Sequence, residues 1–301
     1  MALLSLLTAA VLVATINVTR ASAALSVSYS FPNAMAQSLA TGAAAPAGAN
    51  RLFCSTSSKY PRPIVLVHGT VENQRSNWNA LAPTLKNDGA CVYTLNYGAG
   101  AFTLGQFYGL DTVASGAGEL KNYIALIKAW TGRSKVDIVG HSQGGVVARY
   151  YVQELGGASS VENVVSISAP HKGTTMSGIA KIADVVPGLA DVFVFSWCKS
   201  CADQIEGSAL VKKLNSKAPT ASVKWTNIAT KYDEIVTPYT NAFLSGSNVT
   251  NITLQDGCSL DYSEHLAISY SQRAIWNVRK ALNPGTSGTA PCTKSLPLIG
   301  G

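Results

Sequence analysis

An α/β domain, with a mainly parallel sheet covered by helices on both faces, is the fold class this sequence predicts. Three observations predict it. Short β-rich runs alternate with segments whose apolar residues recur every three to four positions. The β-rich runs are themselves almost continuously apolar, as strands buried on both faces are. The chain of 301 residues is 47% apolar and 13% charged, which is enough to bury one large core without division into several domains.

The elements follow in order. Residues 1–23 run through Leu3, Leu4, Leu6, Leu7, Val11, Leu12 and Val13 to Ala21-Ser22-Ala23, a small-x-small cleavage pattern, and read as a secretory signal peptide. The apolar stretch is short for the ~20 residues of a membrane span. Residues 24–301 then form one catalytic domain, beginning with an arm at 24–62 that is rich in Ala, Ser, Pro and Gly and is laid over the core. Strands are expected at 64–67, 91–95, 136–139, 164–167, 223–228 and 249–254. Helices are expected at 79–85, 119–130, 143–155 and 265–282; Leu120, Tyr123, Ile124, Ile127 and Trp130 show the spacing. A strongly apolar segment within 176–210, from Ile179 to Phe195 and ending at Trp197, reads either as a lid or acyl-binding wall or as a helix covering the core. Phe102, Phe107 and Tyr108 are further candidates for an apolar wall.

Charge narrows the partners. The 23 basic and 16 acidic residues give +7, and loss of Arg20 with the leader leaves 22 against 16, or +6. The basic residues are scattered and not interleaved with aromatics, so nucleic acid is not expected as a partner. Cys54, Cys91, Cys198, Cys201, Cys258 and Cys292 form an even set in a chain with an export signal, which favours disulfides. The sequence leaves their connectivity open, with pairing between chain neighbours preferred. Cys198-Lys199-Ser200-Cys201 lacks the second pair that a zinc site would need.

The chemistry centres on Gly140-His141-Ser142-Gln143-Gly144, a Gly-x-Ser-x-Gly pattern between an expected strand and an expected helix. A serine on such a sharp turn is exposed as a nucleophile, and only small neighbours two positions away tolerate the geometry. Ser142 then needs a base. Of the four histidines, His68 follows a strand and shapes a turn, His141 precedes the nucleophile and points away, and His171 braces a loop, which leaves His265. The acid that orients it is Asp233, in a loop after the strand at 223–228, with Glu234, Asp256, Asp261 and Glu264 as nearby alternatives. The order Ser, Asp, His is that of an α/β-hydrolase. The main-chain N–H groups of Gln143 and Thr70 are the candidate oxyanion donors, and the Thr70 hydroxyl is a candidate third.

Four segments, Pro63 to Thr70, Gly140 to Gly144, Ala169 to Thr174 and Tyr232 to Pro238, together with Asn73 to Trp78, resemble the secreted class 2 bacterial lipases of the α/β-hydrolase superfamily. The resemblance covers most of residues 50–283. It implies triad roles for Ser142, Asp233 and His265, oxyanion roles for Thr70 and Gln143, and hydrolysis of carboxylic esters or triacylglycerols with no metal or cofactor. The expected partner is an ester or lipid substrate met at an oil–water interface, acted on by a secreted, extracellular monomer with no membrane anchor in its mature form. A polyester hydrolase or an acyltransferase would use the same residues; a non-catalytic binding protein would normally lack one of them.

Overall fold

The computed structural model describes residues 23–100, 103–175, 177–180 and 197–301. The signal-peptide reading, Phe102 and most of the apolar segment from Ile179 to Phe195 therefore lie outside the described residues.

Six strands, β1 (Ile64–Val67), β2 (Val92–Leu95), β3 (Val136–His141), β4 (Val161–Ile167), β5 (Lys224–Ala229) and β6 (Val249–Thr253), form one sheet in the order β2-β1-β3-β4-β5-β6. Every pairing is parallel. The α/β fold class is as the alternation of elements predicts. Strand order reverses around β1, so the crevice at the carboxyl ends of β1 and β3 is a topological switch point, where open α/β sheets bind ligands.

Because side chains alternate along a strand, β1 divides its residues between two cores. Val65 and Val67 pack with α4 (Val113–Thr131), α5 (Gln143–Glu154) and α7 (Ala209–Asn215). Ile64 and Leu66 pack with α1 (Phe31–Thr41), α3 (Leu81–Asn87) and α8 (Gln272–Leu282). Helix α4 starts six residues before the expected position because the Thr112 side chain accepts the Ser115 N–H, and it stops at Gly132, whose φ of 65° suits glycine.

The arm gains a helix, and two expected helices need correction. The arm at 24–62 contains helix α1, whose N-terminus is capped by the Ser30 side chain and which buries Phe31 and Ala34. The expected helix at 79–85 is α3, shifted to Leu81–Asn87, and a further short helix, α2 (Gln74–Trp78), capped by Asn73, precedes it. The expected helix at 265–282 begins only at Gln272: Ser271 takes extended angles and caps it, and a short 3-10 turn, Ala267–Tyr270, precedes it. His265 is thus in a loop. The remaining short helix is α6 (Lys199–Asp203).

The cysteines pair as Cys54–Cys91, Cys198–Cys201 and Cys258–Cys292, each with its neighbour along the chain. The first ties the arm to the residue before β2, and the second spans the first turn of α6.

Candidate active site

Ser142 lies between β3 and α5 with φ 51° and ψ −126°. Such a conformation costs a side-chain-bearing residue about 1–3 kcal/mol and persists only where its surroundings impose it. The surroundings do so here. The Ser142 N–H donates to the Ile167 carbonyl at 2.8 Å, and its own carbonyl accepts the Gly145 N–H at 3.0 Å. A Cβ on Gly140 would stand 2.4 Å from the Gly145 nitrogen, and one on Gly144 would stand 2.0 Å from the Val67 carbonyl oxygen. The two glycines of the motif are therefore required by contact.

His265 reaches this serine from the loop after β6. Its Nε2 is 2.8 Å from Ser142 Oγ, and its Nδ1 is 2.9 and 3.0 Å from the two oxygens of Asp233. Asp233 follows β5 and is held by its own turn, Oδ1 accepting the N–H groups of Ile235 at 3.1 Å and Val236 at 2.7 Å. All three residues are buried. Burial alone would push the His265 imidazole down, but Asp233, then Glu234 and Glu264, hold it up at about 9. Burial and the charge of Glu264 push Glu234 up to about 7.

The sequence alternatives for the acid have other occupations. Glu264 caps the 3-10 turn, accepting the N–H groups of Leu266 at 2.6 Å and Ala267 at 3.0 Å. Asp261 accepts the Ser271 hydroxyl at 2.6 Å, and Asp256 pairs with Lys231 at 2.8 Å. Glu234 Oε2 meets the His265 main-chain N–H at 3.5 Å, not the ring.

Gln143 opens α5, where the first N–H groups have no acceptor within the helix. Gly69 packs against Ser142: a Cβ there would lie 3.1 Å from the serine Cβ. This brings the turn carrying Thr70 beside Ser142, and the turn is pinned by the Val71 N–H donating to the Tyr108 carbonyl and the Tyr108 N–H donating to the Glu72 carbonyl. Val71 itself has φ 61°, an outlier for a β-branched residue. The Thr70 hydroxyl is not a third donor toward the site. It donates to Gln143 Oε1 at 2.7 Å and accepts from Gln204 Nε2 at 3.1 Å.

The other histidines are placed differently. His68 is buried, stacks on Tyr97 at 4.5 Å and is pushed down to about 4 by burial. His171 braces its loop through its carbonyl oxygen, which accepts from Arg149 at 3.0 Å and Asn215 at 3.0 Å. His141 does not simply point away: its Nε2 is 2.8 Å from the His265 carbonyl oxygen. Sequence reasoning passed over Glu72, Gln204 and this contact of His141. The only local signal was an acid, Glu72, directly after an apolar strand and turn.

Beside the Thr70 turn, Val71, Leu110, Ile179, Trp197 and Ile235 form a buried apolar cluster with Phe107 and Ile205 against it. Of the expected wall residues, Ile179 and Trp197 are in it and Phe107 packs against it.

A parallel sheet carrying a strained serine at the carboxyl end of β3 defines an α/β-hydrolase fold. Residues 61–274 match the lipase (class 2) family, and the chain belongs to that family. It is 31% identical over 140 residues to a triacylglycerol lipase of Burkholderia plantarii, covering 44% of this chain and 36% of that protein. It is also 31% identical over 118 residues to a triacylglycerol lipase of Pseudarthrobacter phenanthrenivorans, covering 37% and 34% respectively. The matched stretches thus span about a third of these relatives. Among solved structures, Aspergillus fumigatus lipase B superposes with a TM-score of 0.60 at 22% identity, over 82% of this chain and 56% of that one. The mature form of Bacillus licheniformis lipase BlEst2 gives 0.55 at 16% identity, over 76% and 94%. Both share the fold.

Proposed function

We propose that this chain is a secreted serine hydrolase that cleaves carboxylic esters, triacylglycerols among them, through an acyl-enzyme. One observation carries the reading: the hydrogen-bonded series from Ser142 Oγ to His265 Nε2 and from His265 Nδ1 to Asp233. Ser142 attacks the ester carbonyl while His265 takes its proton. Asp233 holds the ring in the tautomer with its Nδ1 protonated and offsets the imidazolium charge. The main-chain N–H groups of Gln143 and Thr70 receive the oxyanion, each such donor being worth ~3 kcal/mol. His265 then protonates the departing alcohol, and a water deprotonated by His265 releases the acid and restores Ser142.

An apolar acyl chain suits the cluster of Val71, Leu110, Ile179, Trp197 and Ile235 beside the Thr70 turn. The triacylglycerol lipases matched above agree with that substrate class. Export is supported by the apolar leader and by three disulfides, which persist in oxidising compartments. The test is hydrolysis of p-nitrophenyl butyrate and emulsified tributyrin by the wild type and by Ser142→Ala. The variant should lose nearly all turnover and keep its circular dichroism spectrum; an undiminished rate would rule the assignment out.

A further inference from the structure

We propose that Glu72 and His141 form a positioning pair that holds the base His265 and the oxyanion turn in register with Ser142. The inference rests on the proposed function. Glu72 is 4% exposed. Its Oε2 accepts the Gly69 N–H at 3.1 Å and lies 2.9 Å from His141 Nδ1, while its Oε1 is buried with no hydrogen-bond partner among the described residues. A buried carboxyl group is costly unless a polar partner meets it.

The groups around it leave one such partner. His68 is pushed down to about 4 by burial and is neutral, and burial holds the Tyr97 and Tyr270 hydroxyls protonated and uncharged. His141 remains. Its fully buried ring presents Nε2 to the His265 carbonyl oxygen at 2.8 Å, an atom that only accepts, so Nε2 carries a hydrogen. One further hydrogen then lies between Nδ1 and Glu72 Oε2, 2.9 Å apart, and joins the imidazole to the carboxyl group. The Asn77 amide completes the pocket: its Oδ1 accepts the Gly69 N–H at 3.1 Å, and its Nδ2 lies 3.1 Å from His141 Nδ1 and reaches Ser269 Oγ at 3.1 Å.

The connectivity gives the pair its purpose. Gly69 precedes Thr70, His141 precedes Ser142, and the carbonyl gripped by His141 belongs to His265. One carboxylate–imidazole unit therefore touches the backbone of the hole, the nucleophile's strand and the backbone of the base. Neither residue contacts the reacting atoms; both act by holding His265 Nε2 and the Thr70 N–H where Ser142 needs them.

The experiment compares kcat and KM for p-nitrophenyl butyrate, with thermal unfolding, in Glu72→Gln, His141→Phe, His141→Gln and the Ser142→Ala control. His141→Phe keeps the ring without a donor and should lower kcat on the order of 10- to 100-fold, as small misplacements do. KM should stay within about twofold, because the loss is in the transition state. His141→Gln, whose amide N–H can reach the His265 carbonyl, should recover most of that loss. Glu72→Gln, which still accepts the Gly69 N–H, should lower kcat about tenfold. If His141→Phe does not fold, Glu72→Gln decides. Wild-type kcat in Glu72→Gln, a loss confined to KM, or a His141→Gln as poor as a folded His141→Phe would overturn the proposal. An active Ser142→Ala would instead overturn the triad reading on which it rests.

Discussion

His265 is where burial and charge oppose each other most directly. Removing the imidazole from water disfavours its cation, yet Asp233 at 2.9 Å, with Glu234 and Glu264 nearby, outweighs burial and holds it at about 9. In the proposed role of base the ring must be neutral, so kcat/KM should climb with pH through the alkaline range and level off only above about 9. A plateau already complete at neutrality would contradict this. For stability the sign is reversed: the pKa lies above the ordinary ~6.5, so the His265 contribution is fully present below that value and fades as pH rises through the folded one. Asp233→Asn should move the alkaline limb to lower pH and cut kcat about 10⁴-fold through the wrong tautomer. The pH profile of the variant checks both. At Thr70 the hydroxyl links Gln143 and Gln204, so Thr70→Val leaves two buried amides short of a partner and should lower kcat/KM about tenfold, a cost of about 1–2 kcal/mol. A rate within experimental error of wild type would mean that the main chain alone sets the hole.

The strand–turn–helix from β3 to α5 is the element whose shape the sequence states most fully. Gly144 passes beneath the Val67 carbonyl, and a methyl group there has nowhere to go because both neighbours are backbone. Gly144→Ala should therefore destabilise the fold by about 3 kcal/mol, read as a lowered urea midpoint, and wild-type stability would contradict the contact. The stretch from 265 to 282 was legible only in its second half. Its apolar spacing fits one long helix, but Glu264 turns its carboxylate back onto the N–H groups of Leu266 and Ala267, and Ser271 restarts the helix. The interruption places His265 on a loop from which its ring reaches Ser142. Periodicity records which face is buried, and is blind to such a break when apolar residues continue on both sides of it.

Across the whole molecule the disulfides differ in what they constrain. Cys54–Cys91 closes a loop of 37 residues and joins the N-terminal arm to the sheet, so the chain-entropy model assigns it about 4 kcal/mol. Cys198–Cys201 spans a separation of 3, for which the same model gives about 2 kcal/mol. Replacing Cys54 and Cys91 together by Ser should lower the unfolding midpoint more than replacing Cys198 and Cys201. Activity should respond in the opposite order, since α6 is followed directly by Gln204, which bonds Thr70. Equal effects in both assays would remove the distinction. By itself the sequence determined the alternation of strand and helix, the strained turn at Ser142, and the histidine and acid residues in chain order, because periodicity, glycine placement and titration chemistry are local properties. Only the tertiary structure decided that His265 leaves its helix, that the Thr70 hydroxyl turns to Gln143, and that Glu72, His141 and the His265 carbonyl meet. These contacts join residues as far as 124 positions apart, and the packing of the sheet and its loops creates them.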